Sequence, residues 1–167
     1  MDRGKHQIAS HTWEHRGLST IPKAEVKNEL FRLEIALQRI LGKIPTYMRP
    51  PFSSCLEKSS CPEVLKELQY HNILFDVDPA DYLFRFDETV FRAKNQFLKA
   101  MKVREEFRGD LGSLGGNALV IARDIHKSST TTLATAMLGE GKRLGWKFVT
   151  VGECLEDDEK LWYKQVS

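Results

Sequence analysis

The sequence predicts an α/β fold: a mainly parallel sheet with crossover helices, open or closed. Three observations carry this. Short apolar runs alternate with longer segments whose apolar residues recur at spacings of three and four. The strand, helix, strand, helix rhythm holds from Gln7 to Val151, as in consecutive βαβ units. Polar and ionisable residues gather just after the strand-like runs, where such folds collect their chemistry.

Gln7-Ile8-Ala9-Ser10 reads as a short strand ending at two histidines. Ser19-Thr20-Ile21-Pro22 reads as a helix start, with a hydroxyl cap and a proline tolerated in the first turn. From Lys23 to Leu41, Val26, Leu30, Leu33, Leu37, Ile40 and Leu41 mark one helical face, and Gly42 ends it. Thr46 to Arg49 is extended and stopped by Pro50-Pro51. Pro62 to Tyr70 is a second helix, and Ile73 to Val77 a compact apolar strand. Asp87 to about Met101 is a third helix, with Asp87 and Glu88 near its positive end. Gly109 to Gly116 is a glycine-rich loop, and Ala118 to Ala122 the strongest buried strand. Thr131 to Leu144 is a fourth helix followed by Gly145, and Lys147 to Val151 a final strand. There is no internal repeat and no low-complexity tract, so residues 1–167 read as a single domain.

Composition narrows the classes. With 167 residues and 41% hydrophobic content, the chain is long and apolar enough to bury a core, and is no disordered tail. A net charge of +2 with interspersed signs points to no nucleic-acid or membrane-surface partner. No apolar run approaches the ~20 residues of a membrane span. No secretory signal is visible, because the basic start runs into polar sequence. Cys55, Cys61 and Cys154 are an odd number, which argues weakly for a reducing compartment. Cys55 and Cys61 are close enough to bridge locally in an oxidising one.

Four strand ends carry candidate site residues. His11 and His15 stand at i and i+4, so on one helical face both would reach a single ion, and imidazole suits zinc. Taken alone, they are more plainly two histidines at that spacing by chance. Arg49, before two prolines, can fork onto a carboxylate or serve as a turn arginine. Asp78 and Asp81 fit acid/base groups or, more plainly, an Asp-Pro turn with a local cap. His126, before Lys127-Ser128-Ser129, fits a solvated residue preceding a helix. Trp13, Tyr82 and Trp146 fit aromatic walls for a sugar face or ordinary core, with core the default for Trp146.

Taken in order, HQIASHTWEH, PTYMRPPF, DVDPADY, ALVIARDIH and GWKFVTVGECL resemble the polysaccharide deacetylases of carbohydrate esterase family 4, especially fungal chitin deacetylases. The resemblance runs from about residue 4 to residue 155. It implies a distorted (β/α) barrel and removal of the acetyl group from N-acetylglucosamine units of chitin or its oligosaccharides. It implies zinc or another divalent metal, with His11 and His15 as ligands. Arg49 is similar to the arginine that orients the catalytic base, and Asp81 to the aspartate that tunes a catalytic histidine. Trp13, Pro51, Phe52 and Tyr82 are expected at the substrate, with Tyr82 where the family usually has Trp.

Two departures shape the expectations. The family's T-F-D-D-G motif supplies the base and the third metal ligand, and Asp2 is the only acid before His11. The barrel is therefore expected to be N-terminally shortened, with exposed sheet edges that a homodimer would cover. Arg123 stands where the family has its acid histidine. It is expected to pair with Asp81, leaving His126 as the candidate acid. A carbohydrate-binding relative with impaired catalysis is the alternative. Cys154 matches a cysteine that often pairs with an N-terminal one in secreted fungal relatives. The family suggests a secreted or wall-associated protein, which this chain does not itself indicate.

Overall fold

In the computed structural model, which describes residues 6–106 and 117–164, the sheet is much shorter than the apolar runs suggest. The helices are α1 (Lys23–Leu41), α2 (Cys61–Glu67), α3 (Val90–Glu106), α4 (Ala134–Arg143) and α5 (Val151–Cys154). The strands are β1 (Ile44–Pro45), β2 (Tyr47–Met48), β3 (His71–Asn72) and β4 (Tyr163–Lys164). The chain forms two compact units, residues 1–74 with 149–167, and residues 75–148. Among the described residues no helix is long and apolar enough to cross a membrane.

In the first unit β2 and β3 run parallel, with Tyr47 opposite His71 and Met48 opposite Asn72. Ser10 joins them as a parallel bridge to Met48, and the rest of the expected Gln7–Ser10 strand is unpaired. α1 crosses between the Ser10 segment and β2, as expected of a βαβ unit. It starts after Pro22 and stops at Gly42, whose φ of 68° needs no Cβ and whose N–H donates to the Gln38 carbonyl. Its inner face differs from the expected stripe. Val26 and Leu30 are buried, but so are Glu29 and Glu34, while Ile40 is 75% exposed. Leu18, Val26, Leu30, Met48, Cys61, Val64, Leu65 and Tyr70 form the core of this unit. Cys55 and Cys61 are joined in a disulfide, so the local bridge expected for an oxidising medium is made, and Cys154 is an exposed free thiol.

The expected strand at Lys147–Val151 is a correction. Phe148 and Val149 are exposed, and α5 begins at Val151. Thr150 and Glu153 form a reciprocal capping box, and this local helix signal overrides the apolar run. The segment then returns to the start of the chain. β4 pairs antiparallel with β1, Ile8 N–H donates to the Tyr163 hydroxyl at 3.0 Å, and Tyr47 donates to Asp157. Burial and Asp157 together raise the Tyr47 hydroxyl pKa.

Of the expected strands Ile73–Val77 and Ala118–Ala122, the second unit keeps one parallel bridge, Val77 to Val120, while Ile73 N–H donates to the Met48 carbonyl at 2.8 Å within the first unit. Ala118–Ala122 is not the buried strand expected, since residues 118–121 are only half-buried. Asp76 reinforces this contact through backbone and side chain together: its N–H donates to the Leu119 carbonyl at 3.1 Å. Its carboxylate accepts from Leu119 N–H at 2.9 Å, and its carbonyl accepts from Arg104 at 3.2 Å. Val77, Phe97 and Met101 form one core cluster, and Val90, Ala93 and Leu133 another. A single π-helical turn, Ser129–Leu133, leads into α4. The glycine-rich stretch 109–116 lies outside the described residues.

Candidate functional site

His11 and His15 are brought together by a bent loop, not by the helical face their spacing suggests. Thr12 and His15 both have positive φ, 68° and 58°. For the β-branched Thr12 this is a strained backbone, of the kind that concentrates at functional sites. The two imidazole centroids lie 4.9 Å apart. His11 Nδ1 is 2.6 Å from the Arg49 carbonyl. A neutral imidazole donating from Nδ1 carries its lone pair on Nε2, the arrangement of a metal-binding histidine with an outer-shell carbonyl. The His15 ring stands edge-on to Phe52 at 4.8 Å. Phe52, with φ of 56°, is 76% exposed, while the preceding Pro51 is buried.

Arg49 is tied to the end of the parallel pair. Its Nε donates to the Ile73 carbonyl at 3.2 Å and its Nη2 to the Leu74 carbonyl at 3.1 Å. Burial lowers its pKa, and a guanidinium stays charged. Trp13 is half-exposed, with the Arg32 guanidinium 4.9 Å from its ring centroid.

The second unit holds the other expected residues. Asp81 is fully buried and accepts three hydrogen bonds. They come from Arg123 N–H at 2.7 Å, Arg123 Nη1 at 2.5 Å and Ser129 Oγ at 2.8 Å. The expected ion pair of Arg123 with Asp81 is thus formed. The same guanidinium lies 4.4 Å from the Tyr82 ring centroid. Asp78 takes its plainer reading, a local turn in which its carboxylate accepts from Ala80 N–H at 2.7 Å. Trp146 packs against the Val77, Phe97 and Met101 cluster, as ordinary core. His126 sits where the helical turn begins, and its carbonyl accepts from Ser129 and Thr130 N–H. Ser129 and Glu29 escape a reading of the sequence. A serine before three threonines and a glutamate inside a helical stripe carry no local signal of their role.

Two imidazoles on one tetrahedral zinc, with Zn–N of about 2.1 Å, place their centroids roughly 5 Å apart. The His11–His15 separation fits that donor pair. Among the described residues no third His, Cys, Asp or Glu joins them.

A family model described as polysaccharide deacetylase matches residues 1–73. The solved chitin deacetylase from the fungal pathogen Colletotrichum lindemuthianum superposes with a TM-score of 0.83 at 32% identity, over 98% of this chain and 68% of that one. The chain belongs to the polysaccharide deacetylase family. Its fold class is accordingly the distorted (β/α) barrel of these deacetylases. Among curated family members, it is 35% identical to a chitin deacetylase of Pestalotiopsis sp over 98% of its length. It is 34% identical to a chitin deacetylase of Colletotrichum lindemuthianum over 95%. The chain spans 50% and 60% of those two relatives' own length.

Proposed function

We propose that residues 1–167 act as one deacetylase domain that hydrolyses the acetamide of N-acetylglucosamine units in chitin or its oligosaccharides, releasing acetate with the help of a divalent metal. The observation that carries this is the convergence of His11 and His15 to 4.9 Å in a chain of this family. His11 and His15 would hold the ion, which when bound supplies a Lewis acid for the acetamide carbonyl. Trp13 and Phe52, half-exposed and exposed, offer flat apolar faces to a sugar ring, with Pro51 as the floor of the Phe52 loop. Arg49 orients a carboxylate, and Tyr82 lines the acetyl group, its ring braced by Arg123. Asp81 works by holding Arg123, and His126 is the candidate proton donor.

One observation favours a second reading, sugar binding with little turnover. The residue paired to Asp81 is a guanidinium, which donates no proton at neutral pH. Acetate release from N-acetylglucosamine oligomers, with added zinc and with chelator, separates the two. Chelator-sensitive release that falls in His126→Ala is expected. Oligomer binding without release would replace the first reading by the second.

A further inference from the structure

We infer that Glu29 is a positioning residue for the His11–His15 pair, holding the loop between them through its backbone. Glu29 lies on the inner face of α1 and is 2% exposed. One of its carboxylate oxygens accepts from Trp13 N–H at 3.1 Å and from Glu14 N–H at 2.8 Å. These are the amides between the two histidines. They are flanked by the two positive-φ residues, Thr12 and His15. A loop with two left-handed non-glycine residues relaxes unless its surroundings over-determine it. A buried carboxylate supplies that constraint, because charge-assisted bonds to N–H are short and strong, and because a buried charge demands its donors.

The neighbours of Glu29 on α1 act on the same loop. Glu25, one turn earlier, pairs with Arg16. Arg32, three residues on, reaches the Glu14 carboxylate at 2.5 Å while covering Trp13. Residues 25, 29 and 32 fall at i, i+4 and i+7, one helical stripe. The outer two ends of this stripe are exposed ion pairs, each weak alone. Glu29 is the buried centre and carries the geometry. The stripe fixes both the facing of the imidazoles and the plane of Trp13. This rests on the reading of His11 and His15 as metal ligands, but Glu29 itself touches no ligand atom.

The test uses the 167-residue chain as Glu29→Ala and Glu29→Gln. Zinc affinity is read by competition with a chromophoric chelator, and the Trp13 and Glu14 amide shifts by NMR of the metal-free protein. Glu29→Ala is expected to weaken zinc binding by about 10–100-fold, the usual loss for an outer-shell partner, and to move both amide shifts. Glu29→Gln keeps an acceptor oxygen and loses the charge, so an intermediate loss is expected. Unchanged zinc affinity and amide shifts in Glu29→Ala overturn the proposal. If that variant fails to fold, unchanged values in Glu29→Gln do so. A wild-type chain that binds no zinc sinks the metal reading instead, and the amide shifts alone then decide the role of Glu29.

Discussion

Asp81 shows how one residue position sets local chemistry. The carboxylate is fully buried and saturated by Arg123 and Ser129. Breaking a buried ion pair by removing one partner typically costs about 3–5 kcal/mol. The Arg123 side chain is 31% exposed, which discounts that figure. Arg123→Met is therefore expected to lower unfolding free energy by about 2 kcal/mol, read by chemical denaturation. A change under about 0.5 kcal/mol would mean that the backbone amide and Ser129 suffice for Asp81. The pairing was legible in sequence, since Arg123 replaces a family histidine opposite Asp81. The third donor was not, because Ser129 opens the π-helical turn and reaches Asp81, 48 residues away in sequence, only in the folded chain.

At the scale of elements, α1 was readable in its limits but not in its faces. Pro22 and Gly42 mark the ends as local chemistry dictates. The face is another matter, since Glu29 and Glu34 are buried while Leu33 and Leu37 of the expected stripe are only half-buried. Glu34 is paid for by Tyr70 and Lys164, which donate at 2.8 and 2.5 Å. On the same side of the helix, α1 is tethered to α2. Lys23 lies 2.7 Å from Glu63 and 2.6 Å from Glu67, and Lys27 2.6 Å from Glu67. The hydrogen bond from Lys23, then that from Lys27, brings the Glu67 carboxyl down to about 2 from 4.5. A depressed folded-state pKa stabilises above the unfolded value and is lost as pH falls through the folded one. Wild type is thus expected to melt above Glu67→Gln at neutral pH, with the gap closing between pH 4.5 and about 2. A gap independent of pH across that window would show that Glu67 acts by packing and not by charge.

For the molecule as a whole, closure of the first unit depends on residues far apart in sequence. Gly152 N–H donates to Gln7 at 2.9 Å, and a Cβ on Gly152 would meet the Trp162 indole nitrogen at 2.1 Å. Trp162 is itself buried. Gly152→Ala is expected to cost about 1–3 kcal/mol through overpacking, seen as a lower denaturation midpoint. An unchanged midpoint would mean that the indole swings aside freely. The sequence by itself determined the α/β class, the helices α1 to α4 and the family, because periodicity, caps and motif order are local properties. It also marked His11, His15 and Arg49. Only the tertiary structure decided that the histidines meet through a left-handed loop, and that a buried glutamate holds it. It likewise decided that the apolar run at 147–151 is no strand. The physical reason is common to all three. Strand pairing, burial of a charge and strained backbone are settled by partners distant in sequence, which no local pattern encodes.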